Sequence, residues 1–259
     1  MDTLCVRNAS FKYQAKNGEV AAFSDITFSV PQGQFVSIVG PSGCGKSTLL
    51  SLIAGLLPKS SGEIYINGEL SKGVSPHIGY MLQRDNLLEW RTIWHNILLG
   101  LEIQGNLGEQ TKEHAAKLLE TYGLSDFRNK YPHQLSGGMR QRVALIRTLA
   151  ANPNILLLDE AFSALDFQTR LSVTDDVYRI LKAENVTTLM VTHDIPEAIS
   201  MGDSVLILSK RPAHIKEILP IRFDDHRTPL SCRSDPRFSE YFSHIWKELR
   251  EDETNEGIP

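Results

Sequence analysis

Residues 40–47 of the sequence, GPSGCGKS, have the types and spacing of a phosphate-binding loop. Glycines allow such a loop to curl so that successive backbone N–H groups point at one anion. Lys46 adds a compact, mobile positive charge, and the Ser47 hydroxyl is a suitable ligand for Mg²⁺. The candidate phosphate-binding residues are Gly40, Pro41, Ser42, Gly43, Cys44, Gly45, Lys46, Ser47 and Thr48. This loop alone leaves GTPases, kinases and ATPases open.

The elements around the loop fit this chemistry. The apolar run FVSIVG precedes it, and STLLSLIAGLL follows with its apolar residues at helical spacing. A strand, a loop and a helix in this order are the context that a phosphate-binding loop requires. The helix also directs its positive N-terminal end at the bound anion.

The rest of the chain predicts an α/β fold. Short strands with turns come first, and residues 85–151 read as mostly helical. Beyond them the apolar strands ILLLD, TTLMV and SVLIL alternate with helical segments, which is typical of a parallel sheet covered on both faces. We therefore interpret the helical stretch as a subdomain inserted into an α/β core.

A second glycine motif, LSGGMRQ, lies at residues 135–141. Ser136, Gly137 and Gly138 stand just before a helical run, so their N–H groups and the serine hydroxyl predict a second anion-binding helix terminus. Together with the phosphate loop, this motif resembles the signature sequence of the ATP-binding cassette (ABC) family. The resemblance makes Leu135, Ser136, Gly137, Gly138 and Gln141 the signature residues, which would contact ATP held by a second chain.

Membership of that family implies a P-loop NTPase (RecA-like) α/β core with an N-terminal antiparallel β part and an inserted α-helical subdomain. We expect the ATPase domain to span residues 1–220, with the inserted subdomain at about 85–151. A short C-terminal extension, 221–259, carries apolar residues at helical spacing and predicts an amphipathic helix that docks on its own domain rather than on a dimer partner. Its last nine residues, EDETNEGIP, are predicted to be disordered.

An acidic pair closes the apolar run ILLLDE and resembles the Walker B strand. A buried parallel strand would place both carboxylates at the C-terminal edge of the sheet, where ligands of such folds bind. Asp159 is the candidate Mg²⁺ residue, and Glu160 is the candidate general base that polarises the attacking water.

Smaller motifs extend the resemblance in the expected order. Gln83 matches the Q-loop glutamine, which contacts magnesium and the nucleophilic water, and His193 matches the switch histidine near the γ-phosphate. The segment SALD, with Ser163 and Asp166, matches the D-loop at the dimer seam. Tyr13 matches the aromatic residue that stacks on adenine. The implied cofactors are ATP and Mg²⁺.

One chain carries one phosphate loop and one signature, so the resemblance implies a head-to-tail homodimer. Three classes compete: a transporter subunit, a soluble non-transport ABC ATPase of translation or DNA repair, and an unrelated P-loop kinase. The signature argues against the kinase. The 112 residues between Lys46 and Asp159 leave no room for the long coiled-coil insertion of repair enzymes. We expect an importer subunit that works with a separate integral membrane permease and, indirectly, a solute-binding protein.

Two stretches resemble the nitrate, sulfonate and taurine importer group. One is RDNLLEWRTIWHNILLGLEIQG after Gln83, and the other is DIPEAISMGDSVLILSKRPAHIKEILPI after His193, which includes the Ser-Lys-Arg-Pro turn at 209–212. Glu89 occupies a position where proline is usual in this group. The transported solute is therefore not determined by the resemblance, and pyrimidine precursors are among the candidates. Segment 84–100 is expected to receive the permease through Leu87, Leu88, Trp90 and Trp94, although Trp94 could equally pack inside the helical subdomain.

Composition agrees with an ordinary globular protein, with 41% hydrophobic and 22% charged residues over 259 positions. The net charge of −4 does not suggest a nucleic-acid partner. Three widely spaced cysteines match neither a disulfide framework nor a zinc site. No run approaches the roughly 20 apolar residues of a membrane span, and no signal peptide is recognised. We expect a peripheral protein on the cytoplasmic face of the membrane.

Overall fold

The computed structural model describes residues 2–15, 18–224 and 227–254. The strands are β1 (Asp2–Ala15), β2 (Gly18–Pro31), β3 (Phe35–Val39), β4 (Ser61–Ile66), β5 (Glu69–Leu70), β6 (Ile78–Met81), β7 (Ile155–Asp159), β8 (Thr187–Val191), β9 (Ser204–Leu208) and β10 (Ile215–Pro220). The helices are α1 (Lys46–Ile53), α2 (Ile93–Ile97), α3 (Leu99–Ile103), α4 (Glu109–Thr121), α5 (Gly137–Leu149), α6 (Phe167–Ala183), α7 (Ile195–Met201), α8 (Pro229–Cys232) and α9 (Pro236–Thr254).

A six-stranded sheet forms the centre of the fold, in the order β10-β9-β3-β8-β7-β6. Its strands run parallel except β10, which pairs antiparallel with β9 at one edge. Every residue of β3, β7 and β8 is buried, as the continuous apolar runs predicted. The predicted α/β class with a P-loop core is therefore confirmed.

Alternate side chains of these strands enter two different apolar cores. Leu156 and Leu158 of β7 pack with the helices of segment 93–149 and with α6. Ile155 and Leu157 point to the other face, where they pack with α1 and the first strands. Because successive strand residues face opposite sides, one short apolar run anchors both halves of the molecule.

The first strands form a separate antiparallel sheet in the order β2-β1-β4-β5. In the second half of β2, Ile26, Phe28 and Val30 are buried and alternate with exposed residues. This period of two is typical of a sheet that has one face on the core and one in water. The sheet thereby covers the α1 side of the central sheet.

Helix α1 is shorter than its apolar run predicted. The run extends to Leu57, but the helix ends at Ile53 because Gly55 adopts a left-handed backbone (φ 75°). A Cβ at Gly55 would lie 2.2 Å from the carbonyl of Gly73, so the turn also depends on close backbone contact. Strand β10 and helix α8 are further elements that the sequence pattern did not predict.

The C-terminal helix α9 packs on the central domain through Ile245, which is fully buried against α7 and β9. Phe238, Tyr241, Phe242 and Leu249 are partly buried in the same cluster. This agrees with the predicted docking on its own domain. The helix continues to Thr254, four residues into the segment predicted to be disordered, and residues 255–259 lie outside the described residues.

Within the described ranges, no helix has the length and apolarity needed to cross a membrane.

Candidate nucleotide site

The phosphate loop joins the end of β3 to the start of α1. Gly43 and Gly45 have positive φ values of 74° and 115°, which favour glycine. Gly45 is the N-cap of α1 and has no side chain that could occupy the first N–H groups of the helix. Lys46 is buried, and its ammonium donates to the carbonyl oxygens of Gly40 (2.8 Å) and Pro41 (3.0 Å). Donors and positive charge are therefore concentrated in one turn of chain.

Three oxygen-bearing side chains meet beside this loop. The Ser47 hydroxyl donates to Asp159 Oδ1 at 2.8 Å, and the Tyr80 hydroxyl donates to Asp159 Oδ2 at 3.3 Å. Burial raises the pKa of Asp159, while the bonds from Ser47 and Tyr80 oppose the rise. A buried carboxylate of this kind favours a cation beside it.

Glu160 lies at the centre of a polar cluster that the sequence motifs bring together. Its Oε2 atom is 3.2 Å from Gln83 Nε2 and 3.3 Å from His193 Nδ1. Gln83 also donates to Ser163 Oγ at 3.3 Å, and the Ser163 hydroxyl donates to the Glu160 carbonyl oxygen at 2.9 Å. Residues separated by up to 110 positions thus converge at the C-terminal ends of β6, β7 and β8.

Glu160 also has an unusual backbone, with φ at 47°. Its N–H donates to the carbonyl oxygen of Val191 at 2.9 Å, which ties the end of β7 to the end of β8. Left-handed backbone at a residue with a long side chain is sparsely populated, and such residues concentrate at functional sites.

Tyr13 contacts the first turn of α1 through Thr48. Its hydroxyl lies 2.6 Å from Thr48 Oγ1, and its ring is 38% exposed. Phe11 packs edge-on against the ring with a centroid distance of 4.9 Å. The tyrosine ring is thus fixed next to the phosphate loop and offers exposed aromatic surface.

The signature motif begins helix α5. Ser136 is its N-cap, and the serine side chain accepts from Met139 N at 3.3 Å. A Cβ at Gly138 would lie 2.7 Å from Thr169 Cγ2, so this glycine allows α5 to approach α6 closely. Leu135 is buried just before the helix.

Gln141 is a buried residue of the signature motif. It is 4% exposed and belongs to the buried positions of α5. Side chains four residues apart share a helix face, and Gln141 lies with Gly138 and Leu145 toward the core. The contact of Gln141 with ATP held by a second chain stays a prediction.

Asp166 of the SALD segment is the N-cap of α6, and its carboxylate accepts from Thr169 N at 3.1 Å. Hydrogen bonding from Thr169 lowers the pKa of this carboxyl, so it is ionised at neutral pH.

Several contacts at the site were not predicted from the sequence. Tyr80, on β6 opposite Leu157, reaches Asp159, and its position just before Gln83 was the available signal. Arg140 pairs with Asp85 at 3.0 Å, and Arg147 donates to the carbonyl oxygen of Asp85 at 2.6 Å. These bonds join the segment after Gln83 to the signature helix within one chain.

The predicted docking residues of segment 84–100 divide into two groups. Leu87 is buried, and Trp94 is partly buried against the helical core with the Arg128 guanidinium 3.8 Å from its ring centroid. Trp90 is 76% exposed, and Leu88 is half-buried. Leu87 and Trp94 thus stabilise the subdomain, whereas Trp90 is one of its exposed large hydrophobic residues.

Comparison with known proteins identifies the relatives of the chain. The model of the family described as "ABC transporter" matches residues 23–163. An uncharacterized ABC transporter ATP-binding protein of Bacillus subtilis, YtlC, is 48% identical over 96% of both chains. The nitrate import ATP-binding protein NrtD of Synechocystis is 39% identical over 94% of both chains. The taurine import ATP-binding protein TauB of Jannaschia is 35% identical over 95% of this chain and 93% of its own.

Solved structures give the same answer. The dimeric structure of MJ0796, a bacterial ABC transporter cassette, superposes with a TM-score of 0.73 at 30% identity, covering 85% of this chain and all of that one. A dimeric post-hydrolysis state of the same cassette bound to ADP and phosphate matches equally well.

Proposed function

The chain belongs to the ABC transporter family and is an ATP-binding ATPase, and we propose that it is the ATPase subunit of an importer for a small solute. In this proposal two copies work head to tail on a separate membrane permease, at the cytoplasmic face of the membrane. A solute-binding protein delivers the solute to that permease.

One observation carries the proposal: the likeness to import ATP-binding proteins extends over nearly the whole chain. The taurine and nitrate relatives each match at least 93% of their own length. The solute we propose is nitrate, a sulfonate such as taurine, or a pyrimidine precursor. Selection among solutes rests mainly with the binding protein and permease, which are separate chains in this proposal.

We propose that the phosphate loop holds the β- and γ-phosphates of ATP. The N–H groups of residues 42–47 and the positive end of α1 supply donors, and Lys46 exchanges its bonds to loop carbonyls for bonds to phosphate oxygens. Tyr13 stacks on the adenine.

The donor set beside the loop fits Mg²⁺. Ser47 and Asp159 place two hard oxygen atoms 2.8 Å apart, and the carboxylate is buried. Magnesium needs one or two such protein ligands because substrate phosphates and water complete its shell. Accordingly, the described residues contain no group of three or more His, Cys, Asp or Glu that could hold a metal by itself. Gln83 is a further oxygen ligand within this proposal. The ion would neutralise charge on the β- and γ-phosphates.

For hydrolysis we propose Glu160 as general base. Its carboxylate takes a proton from water while the water oxygen bonds to the γ-phosphorus and the bond to the β-γ bridging oxygen breaks. Gln83 and His193, both within 3.3 Å of Glu160 Oε2, orient the carboxylate and the reacting groups.

The second half of each site comes from the other chain in this proposal. Ser136 and Gly137 are exposed at the start of α5, so they can present N–H and hydroxyl donors to ATP held by a partner. Ser163 and Asp166 lie at the same seam. The dimeric state of the related MJ0796 cassette supports this arrangement.

The permease contact is tested with the Glu160→Gln variant, captured from source membranes in ATP, and its partners identified by mass spectrometry. A polytopic permease and a solute-binding protein are expected, and ligand screening of that binding protein then names the solute. Ribosomal or DNA-repair partners without a permease would favour a soluble non-transport ABC ATPase.

A matched pair of tryptophan variants sharpens this experiment. Trp90→Asp should lose the permease while isolated ATPase activity persists. Trp246→Asp changes an exposed tryptophan of α9, 49% exposed, and should keep the permease. Equal permease recovery in both variants would remove segment 84–100 from the contact.

A further inference from the structure

The turn between β9 and β10 carries an arginine to the edge of the nucleotide site. Arg211 is exposed, and its guanidinium carbon lies 5.8 Å from the centroid of the Tyr13 ring. Tyr13 is separated from Arg211 by almost two hundred positions. No motif used so far assigns a role to this arginine.

The turn is held firmly at both ends. Ser209 and His214 exchange backbone and side-chain bonds, including Ser209 Oγ to His214 Nδ1 at 2.8 Å. Ala213 donates to the carbonyl oxygen of Ala22 at 2.9 Å and accepts from Ser24 N at 3.0 Å. These bonds fix the turn to β2, which itself contacts the phosphate loop, since a Cβ at Gly45 would lie 3.4 Å from Phe23.

The charge of Arg211 also reaches the phosphate loop. Burial raises the pKa of the Cys44 thiol, and the positive charges of Lys46 and Arg211 act against that rise. Arg211 therefore lies near both the phosphate loop and Tyr13.

We propose that Arg211 forms the second wall of the base site, so that the purine lies between the Tyr13 ring and the Arg211 guanidinium. The inference rests on the proposed role of Tyr13. A guanidinium is planar and stacks on aromatic faces. Two stacking contacts of about 3.5 Å each need about 7 Å between the outer planes. The observed 5.8 Å is about 1.2 Å short of this spacing, so the exposed Arg211 side chain must move outward to admit the purine.

This arrangement predicts that Arg211 acts on the base and not on the phosphates. Arg211→Ala should weaken ATP and ADP binding by the same factor, about 3- to 10-fold. Arg211→Lys should weaken both nearly as much, because the charge is kept and the stacking plane is lost. Binding of inorganic tripolyphosphate should be unchanged in Arg211→Lys, which keeps the charge, and should fall by less than ATP binding does in Arg211→Ala.

The experiment is calorimetric titration of the full chain with ATP, ADP and tripolyphosphate, with steady-state ATPase rates beside it. KM should rise with the loss of affinity while kcat changes by less than about twofold, since the lost contact is equal in ground and transition states. The control is Arg222→Ala, an exposed arginine next to β10 whose backbone N–H bonds Tyr241, and it should bind all three ligands like wild type.

Three results would overturn the proposal. Full rescue by lysine, or a parallel loss of tripolyphosphate binding, would make Arg211 a phosphate contact. Unchanged ATP affinity in Arg211→Ala would leave the turn as structure only. If wild type itself fails to bind ATP while it binds tripolyphosphate, the proposed base site at Tyr13 fails, and the Arg211 proposal fails with it.

Discussion

Two helix starts in this molecule were predicted to bind phosphate, and the structure builds them differently. Helix α1 begins at Gly45, whose left-handed backbone leaves the first N–H groups without a cap side chain. Helix α5 begins at Ser136, whose side chain already accepts from Met139 N. Lys46 adds a charge at the first position of α1, whereas the charged side chain in the first turn of α5, Arg140, pairs with Asp85 of the same chain. We infer that α1 can hold ATP by itself and α5 can only add contacts to ATP held elsewhere.

Two further helix starts near the site show what excludes an anion. Asp166 caps α6 and Asp194 caps α7, each through a carboxylate that accepts an N–H of the first turn. These caps already supply the negative charge that favours a helix N-terminus. The identity of the cap residue therefore separates the helix starts that can take phosphate from those that cannot.

The largest effect is expected from Glu160→Gln. This variant should accumulate a dimer in which the start of α1 of one chain and the start of α5 of the other chain both contact the same ATP. Removing the general base should lower kcat by about 10²- to 10⁴-fold, while the amide keeps the size of the side chain. Intact ATP would then bridge α1 of one chain and α5 of another. Phosphate release measures turnover, and gel filtration in ATP measures the dimer. Turnover at the wild-type rate would remove Glu160 from the role of base.

Lys46→Ala tests the claim that α1 holds ATP without help. Loss of the charge-assisted bonds should weaken ATP binding by about 100-fold in the isolated chain. Titration calorimetry measures the affinity, with Lys72→Ala as a control at an exposed position away from the loop. Equal ATP affinity in wild type and Lys46→Ala would contradict the assignment of the phosphate loop.

The Glu197→Gln variant tests helix α7, whose start already contains the carboxyl groups of Asp194 and Glu197. Glu197 is 5% exposed, and burial raises its pKa from 4.5 to about 7. Its Oε2 accepts from the Thr192 hydroxyl, and its Oε1 has no partner. Between these two pKa values the folded state binds more protons than the unfolded state, so the free energy of unfolding falls as pH rises from 4.5 toward 7.

The glutamine variant stays uncharged, so this decline should disappear. At pH 8 it should be more stable than wild type by about 2–3 kcal/mol, and the difference should shrink toward pH 5. Urea unfolding at both pH values measures this. Glu89→Gln, at an exposed glutamate, should follow wild type at both. Parallel pH profiles for Glu197→Gln and wild type would show that the carboxylate is not destabilised by burial.

Local patterns made most of this site predictable. The phosphate loop, the acidic pair and the signature are contiguous, and their positions at strand and helix ends follow from the apolar runs beside them. Contacts between distant segments were not predictable in the same way. The hydrogen bond from Tyr80 to Asp159 depends on the register between β6 and β7. The residues of a single strand do not determine its register with a neighbouring strand. Strand β10 was missed because its burial is only intermediate and its pairing is at a sheet edge.

The residues of the signature motif differ in exposure. The motif groups Gln141 with Ser136 and Gly137 because they are close in sequence, yet a helix turns by 100° per residue. Ser136 lies before the first turn and is exposed, whereas Gln141 lies beyond it and faces the core. Proximity within a motif therefore does not predict that two side chains share a helix face.

The smallest effect is expected from Ser136→Ala, which bears on the second helix start alone. Loss of the cap should lower the free energy of unfolding by about 1 kcal/mol. The isolated chain should bind ATP as before, because α1 is untouched. In the Glu160→Gln background, the ATP-dependent dimer should weaken by about tenfold, since the serine hydroxyl and the ordered N–H groups contact the partner's ATP.

A helix-cap control separates these two effects. Thr92 caps α2, accepting from His95 N at 3.4 Å, in a part of the chain assigned to no ATP contact. Thr92→Ala should lose similar stability and keep the dimer, which gel filtration and urea unfolding measure side by side. If both variants weaken the dimer equally, the Ser136 side chain acts only as a helix cap and does not contact the partner's ATP. If only Ser136→Ala does so, the cap side chain has a second partner, and the two phosphate-binding starts act on one nucleotide from two chains.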